Sequence, residues 1–406
     1  MKNVFSLILA LVLLQTSAVN CQSIDKNVAK VHGKALTVDT HCDTPMNLLD
    51  GDFDIGIKNK PPQSRVDFPR MKEGGLDAMF FAAFTGQKPR TPENIQEAYK
   101  MANDMIDAVN AACTKYNTMA SVALNSGDAA RLEKEGKLAA YIGMENGFPL
   151  GTDLSRVQEF YTRGVRYITL CHSYNNDICD SSTDKKGAEH NGLSTFGKEV
   201  VSEMNRLGMM VDVSHISDKA FFDVIATSKA PVIASHSSVR AIAKHPRNMT
   251  DEMIKALAKN GGVIQICLLD DYIKDADTTS VYYRKRKEFY ANYEAKSATM
   301  TDDEKKELRK EWRLLSEKFP KPLPTVADCV DHIDHVKKLV GIDYVGIGSD
   351  FDGGGGLADC ADVSQFPNIT AEMLRRGYTE EEVAKVWGGN FFRVFKAVEH
   401  QALKAN

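Results

Sequence analysis

Eight short apolar, β-branched runs recur along this chain, at residues 35–43, 76–84, 138–146, 165–173, 209–215, 231–238, 261–269 and 344–352. Their hydrophobicity is nearly continuous rather than alternating, as expected of parallel strands buried on both faces. Between them the apolar positions change to helical spacing, which predicts amphipathic helices over 93–116, 154–163, 194–207, 217–227, 251–259 and 327–340. Ser217 and Thr250-Asp251-Glu252 have the cap-then-acid order of helix N-termini. Regular alternation of strand and helix predicts an α/β fold, a (β/α)8 TIM-type barrel. A doubly wound open sheet is the competitor. It usually carries a glycine-rich phosphate turn after its first strand, and none follows Asp43. Gly353-Gly354-Gly355-Gly356 comes after the last run, lacks the Lys-Ser/Thr pair of a phosphate loop, and reads as a flexible loop.

Two regions break the alternation. From about 270 to 323 the chain is charged and helical, with Arg284-Lys285-Arg286-Lys287 and Asp302-Asp303-Glu304-Lys305-Lys306-Glu307. This reads as a helical insertion after strand seven with a solvated face. At the start, Lys2 precedes an apolar run over 4–14, and Thr16, Ser17 and Ala18 follow. That is the order of a secretory signal peptide, here placed over 1–22, and the run is too short for a membrane span. Export to the periplasm or the extracellular space is therefore expected, with 23–406 as a single catalytic barrel domain and no transmembrane span in the mature chain. Cys21 stands where a lipoprotein cysteine would stand, but Asn20 before it is a poor match, so lipid anchoring through Cys21 is the weaker alternative. Residues 399–404 lack the apolar tail of a GPI signal.

Composition narrows the function classes. The net charge is -4, and no basic patch has interleaved aromatics, so nucleic acid is not an expected partner. The 8 cysteines form no CxxC pair, and Cys42, Cys171 and Cys267 fall in strand-like runs as buried thiols whose pairing cannot be deduced.

Barrel enzymes carry their reactive groups at the C-terminal ends of the strands. Those ends here read His41-Cys42-Asp43, Glu145-Asn146, Cys171-His172-Ser173, Asp212-Val213-Ser214-His215, Ser235-His236-Ser237 and Ser349-Asp350-Phe351-Asp352. His41 and Asp43, two apart on a strand, share a face, while Cys42 points to the helix layer. Three imidazoles and two carboxylates exceed the ligand set of one catalytic zinc and suit two ions. Glu145 is the natural bridge, with His41 and Asp43 on one Zn2+ and His215 and His236 on the other. A bridging water acidified by both ions supplies the hydroxide, Asp350 acts as its general base, and His172 stabilises the oxyanion. Each residue also has a structural reading. Any one histidine can be a hydrogen-bonded core residue, Glu145 can pair with Arg166, and Asp350 or Asp352 can cap the following loop. Arg247, in the loop after strand six, has the guanidinium that binds a carboxylate bidentately, and equally reads as a surface arginine.

These motifs resemble the membrane (renal) dipeptidases, a branch of the amidohydrolase-type barrels. The resemblance also covers Val66-Asp67-Phe68-Pro69-Arg70, Met144-Glu145-Asn146-Gly147, the run from Gly164 to Ser173, the run from Gly192 to Val200, Arg247-Asn248 and Gly348-Ser349-Asp350-Phe351-Asp352-Gly353. It implies a binuclear zinc site on His41, Asp43, Glu145, His215 and His236, with Glu145 shared. It places the oxyanion or substrate histidine on His172, the carboxylate-binding arginine on Arg247 and the acid/base aspartate on Asp350. It further implies hydrolysis of dipeptides, with some members accepting D-residues or opening β-lactams. Dimers are common in that family, so a homodimer is an expectation of the resemblance alone. Asn146-Gly147-Phe148 and the segment after His172 depart from the family's pattern, which affects side-chain preference rather than metal chemistry. A related metal hydrolase of N-acyl amino acids or lactones is the alternative, and a metal-free binding protein on the same barrel is the reading from another class.

Overall fold

The computed structural model describes residues 26–59, 63–296 and 300–405. The leader expected over 1–22, with Cys21, lies outside them. Among the described residues nine strands form one parallel sheet: β1 (Val38–Cys42), β2 (Ala78–Phe84), β3 (Ala120–Val122), β4 (Leu138–Glu145), β5 (Val165–Thr169), β6 (Met210–Asp212), β7 (Ile233–Ser237), β8 (Val263–Ile266) and β9 (Val345–Ile347). Their order is β1-β2-β4-β5-β6-β7-β8-β9. A parallel bridge between Cys42 and Phe351 brings the last strand back to the first, and Asp350 N donates to His41 O at 3.0 Å beside it. The eight predicted runs are the eight staves of this nearly closed TIM-type barrel. β3 was not anticipated. It pairs only with β4, off the main path, and its three residues are too few to show a period.

The predicted helices form within a residue or two of their expected bounds, from Pro92–Lys115 to Val326–Val340. The expected caps hold them: Ser217 accepts from Ala220 N, and Thr250 from Met253 N, satisfying amide groups that a helix start leaves without intrahelical partners. After β8 comes the expected insertion, with helices Asp270–Ile273, Val281–Lys296 and Asp302–Lys318. Phe289 and Trp312 join the latter two, ring centroids 4.9 Å apart. Among the described residues no helix is long and apolar enough to cross a membrane.

Side-chain alternation divides the core in two. One cluster lies between strands and helices and takes in Cys42, Met144, Ile168, Val211 and Ile264. The other gathers Phe80, Tyr141, Tyr167, Met210 and Ile233 inside the barrel, together with Phe391 and Phe395 of the C-terminal helix Asn390–Ala405. Gly143 makes room there, since a Cβ at that position would stand 2.2 Å from the Tyr167 ring. With the interior filled, polar groups on the same faces are left to the upper rim. The register sets them level: Phe84 pairs with Glu145, Glu145 with Thr169, and Thr169 with Asp212.

Candidate metal centre and active site

The rim gathers every predicted site residue. His41 lies in β1, and Asp43 follows it as the residue before helix Thr44–Leu48. Glu145 ends β4, His236 lies in β7, His172 and His215 follow β5 and β6, and Asp350 follows β9. His215 and Asp350 have left-handed backbones, φ 72° and 59°, which turn their side chains back over the barrel mouth.

Glu145 is the hub. Its Oε2 lies 3.3 Å from His41 Nε2. Its Oε1 faces a different set: His215 Nε2 at 3.0 Å, His236 Nε2 at 3.5 Å and His172 Nε2 at 3.6 Å. Asp43 Oδ2 lies 3.6 Å from His41 Nε2, and His41, Asp43 and Asp350 place donor atoms within 4.8 Å of one another. The chemistry of this donor set fits cations. His41 Nε2 and Asp43 Oδ1 are buried without a hydrogen-bond partner, a costly state unless something else binds them. His215 Nε2 and His236 Nε2 face each other at 2.8 Å.

Asp43 and Asp350 are short of compensating positive charge, whereas, against its burial, His41 and His215 hold Glu145 well below the carboxylate range. Burial, then the neighbouring Glu145, pushes Asp43 up to about 6. Burial and Asp43 push Asp350 well above the carboxylate range. Burial, then Arg247 with His172, pulls His215 well below the usual imidazole range, and burial with His41 does the same to His236. His41 is the exception: burial opposes its charge, but Tyr167, Glu145 and Asp43 together raise it.

Arg247 is 4% exposed, not a surface residue. Its Nη2 donates to His236 O at 3.0 Å, its Nε has no partner, and its guanidinium lies 5.3 Å from the centre of the Tyr272 ring. Arg166 is not paired with Glu145; it donates to the carbonyls of Leu124, Tyr161 and Val165. The two aspartates after β9 also separate. Asp352 takes hydrogen bonds from Thr44 Oγ1, Asn47 Nδ2, Ser64 Oγ and Arg65 N, so it is the loop cap. Asp350 faces the cavity, with the Cys267 thiol 3.6 Å from its Oδ2 and Asp43 beside it. The glycine run is a packing requirement rather than a flexible loop: a Cβ on Gly353 would stand 2.0 Å from Asp43 Oδ2, and one on Gly355 1.9 Å from Ser349 O.

The chain is similar to known proteins over most of its length. The family described as Membrane dipeptidase (Peptidase family M19) matches residues 25–406. The chain belongs to this family. Dipeptidase tcpJ of Claviceps purpurea is 33% identical over 360 residues, 86% of this chain and 74% of that protein. Dipeptidase ataJ of Aspergillus terreus is 29% identical over 393 residues, 90% and 85% of the two chains. The crystal structure of the probable dipeptidase PvdM from Pseudomonas aeruginosa superposes with a TM-score of 0.83 at 30% identity, covering 94% of this chain and 100% of that one. The chain is thus a metallo-dipeptidase, a hydrolase on a TIM-type barrel.

Sequence reasoning missed the groups that orient this dipeptidase's histidines. Tyr167 Oη donates to Thr40 O at 3.1 Å, leaving its lone pair for His41 Nδ1 at 2.9 Å. Ser235 Oγ gives its proton to Asp212 Oδ2 at 2.6 Å and so accepts from His236 Nδ1 at 2.8 Å. Both contacts put the proton on Nδ1 and direct the Nε2 lone pair into the site, the usual setting of a metal-ligating imidazole. Asp212 also receives Thr169 Oγ1, Ser214 N and Ser235 N. Asp39 plays the matching part at the β1–β9 seam, accepting from His41 N, Ser349 N and Ser349 Oγ. The available signal was an aspartate inside an apolar strand just before a histidine, since a buried carboxylate needs partners.

Proposed function

We propose that this chain hydrolyses the peptide bond of dipeptides with two zinc ions shared by Glu145. His41 and Asp43 would hold one ion, and His215 and His236 the other. The observation that carries the reading is the division of Glu145, one oxygen toward His41 and the other toward His215 and His236. Such ions supply Lewis acidity and a water acidified toward neutrality.

The chain's own residues account for the remaining chemistry. Arg247, whose Nε has no partner, takes the substrate's C-terminal carboxylate through its guanidinium, which limits substrates to a length that reaches from it to Glu145. His172, whose Nδ1 lies 3.1 Å from Ser173 Oγ, presents Nε2 to the carbonyl oxygen as negative charge grows on it. Asp350, which faces the cavity, takes the proton of the attacking water and delivers it to the leaving amine nitrogen. The cavity holding these groups measures about 260 Å³, small beside drug-sized sites. Residues 1–22 act as an export signal, 23–406 form one catalytic unit, and a homodimer is the assembly to look for.

A panel of free, amidated and N-acetylated dipeptides, N-acetylated amino acids and lactones, assayed with and without chelator and after zinc is restored, tests this reading. Free dipeptides are cleaved, chelator abolishes cleavage, and zinc restores it with two ions per chain. Cleavage confined to N-acetylated amino acids or lactones would refute it.

A further inference from the structure

The catalytic cavity has two poles of unlike chemistry. Arg247 and Tyr272 stand on the β7–β8 side. Phe84 is the last residue of β2. In the barrel order, β2 reaches β7 in four steps through β4, β5 and β6, and in four through β1, β9 and β8. Phe84 therefore stands diametrically across the mouth from the strand that leads to Arg247. Met46, in the helix directly after β1, lines the same side and is 39% exposed. Neither side chain joins the apolar core clusters of the barrel. Phe84 meets the His172 ring edge-on, centroids 4.8 Å apart, so it stands next to the reacting centre.

A dipeptide with its carboxylate on Arg247 and its peptide carbonyl near Glu145 and His172 directs its first residue toward this far wall. We infer that Phe84 and Met46 seat the side chain of the N-terminal residue and select dipeptides in which that side chain is apolar. The inference rests on the dipeptidase orientation proposed above. Met46 and Phe84 offer no hydrogen-bonding atom except a weak thioether, and polar groups that also line the cavity are already engaged, Asp352 by Thr44, Asn47, Ser64 and Arg65 and Thr183 Oγ1 by Ser173 O, so a polar first side chain loses water there without compensation. An apolar one gains by burial, and the flexible thioether of Met46 adapts to branched and aromatic shapes alike.

The test is a series X-Gly, with X as Gly, Ala, Leu, Phe, Asp or Lys, assayed with the zinc-loaded enzyme and with Met46→Ser and Phe84→Ser, metal content being measured for each. Leu-Gly and Phe-Gly should exceed Gly-Gly and Asp-Gly in kcat/KM by about 10–100-fold. Each substitution should bring the ratio to within about threefold of one, through loss on the apolar substrates, with metal content retained. A wild-type enzyme indifferent to X overturns the inference, as does a preference that survives in both variants. Failure to cleave any member, or cleavage of amidated and free dipeptides alike, counts instead against the orientation on which the inference stands.

Discussion

Asp212→Asn offers a sharp test of how the site is held. The substitution keeps size and keeps one carbonyl oxygen. That oxygen can take the place of Oδ1, which accepts from Ser214 N at 3.0 Å and Ser235 N at 2.8 Å. The change falls on the other side. Where Oδ2 now accepts from Thr169 Oγ1 at 2.5 Å and Ser235 Oγ at 2.6 Å, an NH2 group would donate. Ser235 Oγ then has to turn its proton elsewhere, and His236 Nδ1 at 2.8 Å is in reach. The imidazole becomes an acceptor at Nδ1, its proton moves to Nε2, and the lone pair aimed at the site is lost. Partners of this kind are worth about 10–100-fold in metal affinity, or roughly 1.4–2.8 kcal/mol. The loss should fall on the ion held by His215 and His236, while the ion held by His41 and Asp43 stays. Titration with a competing chelator, followed by metal analysis, reads this as one tight and one weakened zinc. Asp212→Ala is the contrast: it strands both backbone amides, at about 1–3 kcal/mol each, and lowers folding stability as well. Two zinc ions bound by Asp212→Asn with wild-type affinity would refute the proton arrangement.

Three further outcomes are expected. Asp350→Asn should retain its zinc and lose about 10²–10⁴-fold in kcat, checked by steady-state kinetics beside metal analysis; a mild effect removes Asp350 from the proton path. Arg247→Ala should raise KM and lower kcat/KM by about 30-fold or more for free dipeptides, and should add little to the poor cleavage of amidated ones; equal losses on both would show that Arg247 does not read the carboxylate. His332, fully buried, accepts from Val239 N at 3.0 Å and faces Ile273 O at 2.8 Å, and burial pulls its pKa down to about 4. The unfolded chain therefore binds the proton first, so stability complete above pH 6.5 falls between 6.5 and 4, by about 3 kcal/mol from this residue; urea titrations of wild type and His332→Gln across that range should differ in slope.

The barrel was readable because its strands are uniformly apolar and its chemistry sits at their ends. Parallel register then fixes neighbours: Glu145 is level with Phe84 and Thr169 because these strands end together. What sequence did not separate were choices made by local contacts. Asp350 and Asp352 look equivalent in Ser349-Asp350-Phe351-Asp352, and only the approach of Thr44, Asn47, Ser64 and Arg65 engages one and leaves the other facing the cavity. Gly353 to Gly356 suggested freedom, whereas their lack of side chains lets Asp43 and Ser349 approach. Tyr167 lies inside β5 and Asp212 ends β6, both within apolar runs where hydrophobic patterning conceals a polar role. Arg247 was undecided between surface and pocket because its position depends on how the loop after β7 folds back onto His236.

The left-handed backbones at His215, Asp350 and Asp352, with a fourth at Asn146, have an evolutionary consequence. Each sits where glycine would be the easiest residue, and each holds a side chain at a cost of order 1 kcal/mol or more. The residues used, His, Asp and Asn, are among those that tolerate the conformation best. Selection for heat resistance and selection for turnover therefore pull against each other at the same few codons. A lineage or a laboratory screen released from the need to cleave substrate gains by letting His215 or Asp350 drift to glycine. The first trace of a descendant turning from enzyme to scaffold would then be written at these turns, with the barrel beneath them left intact.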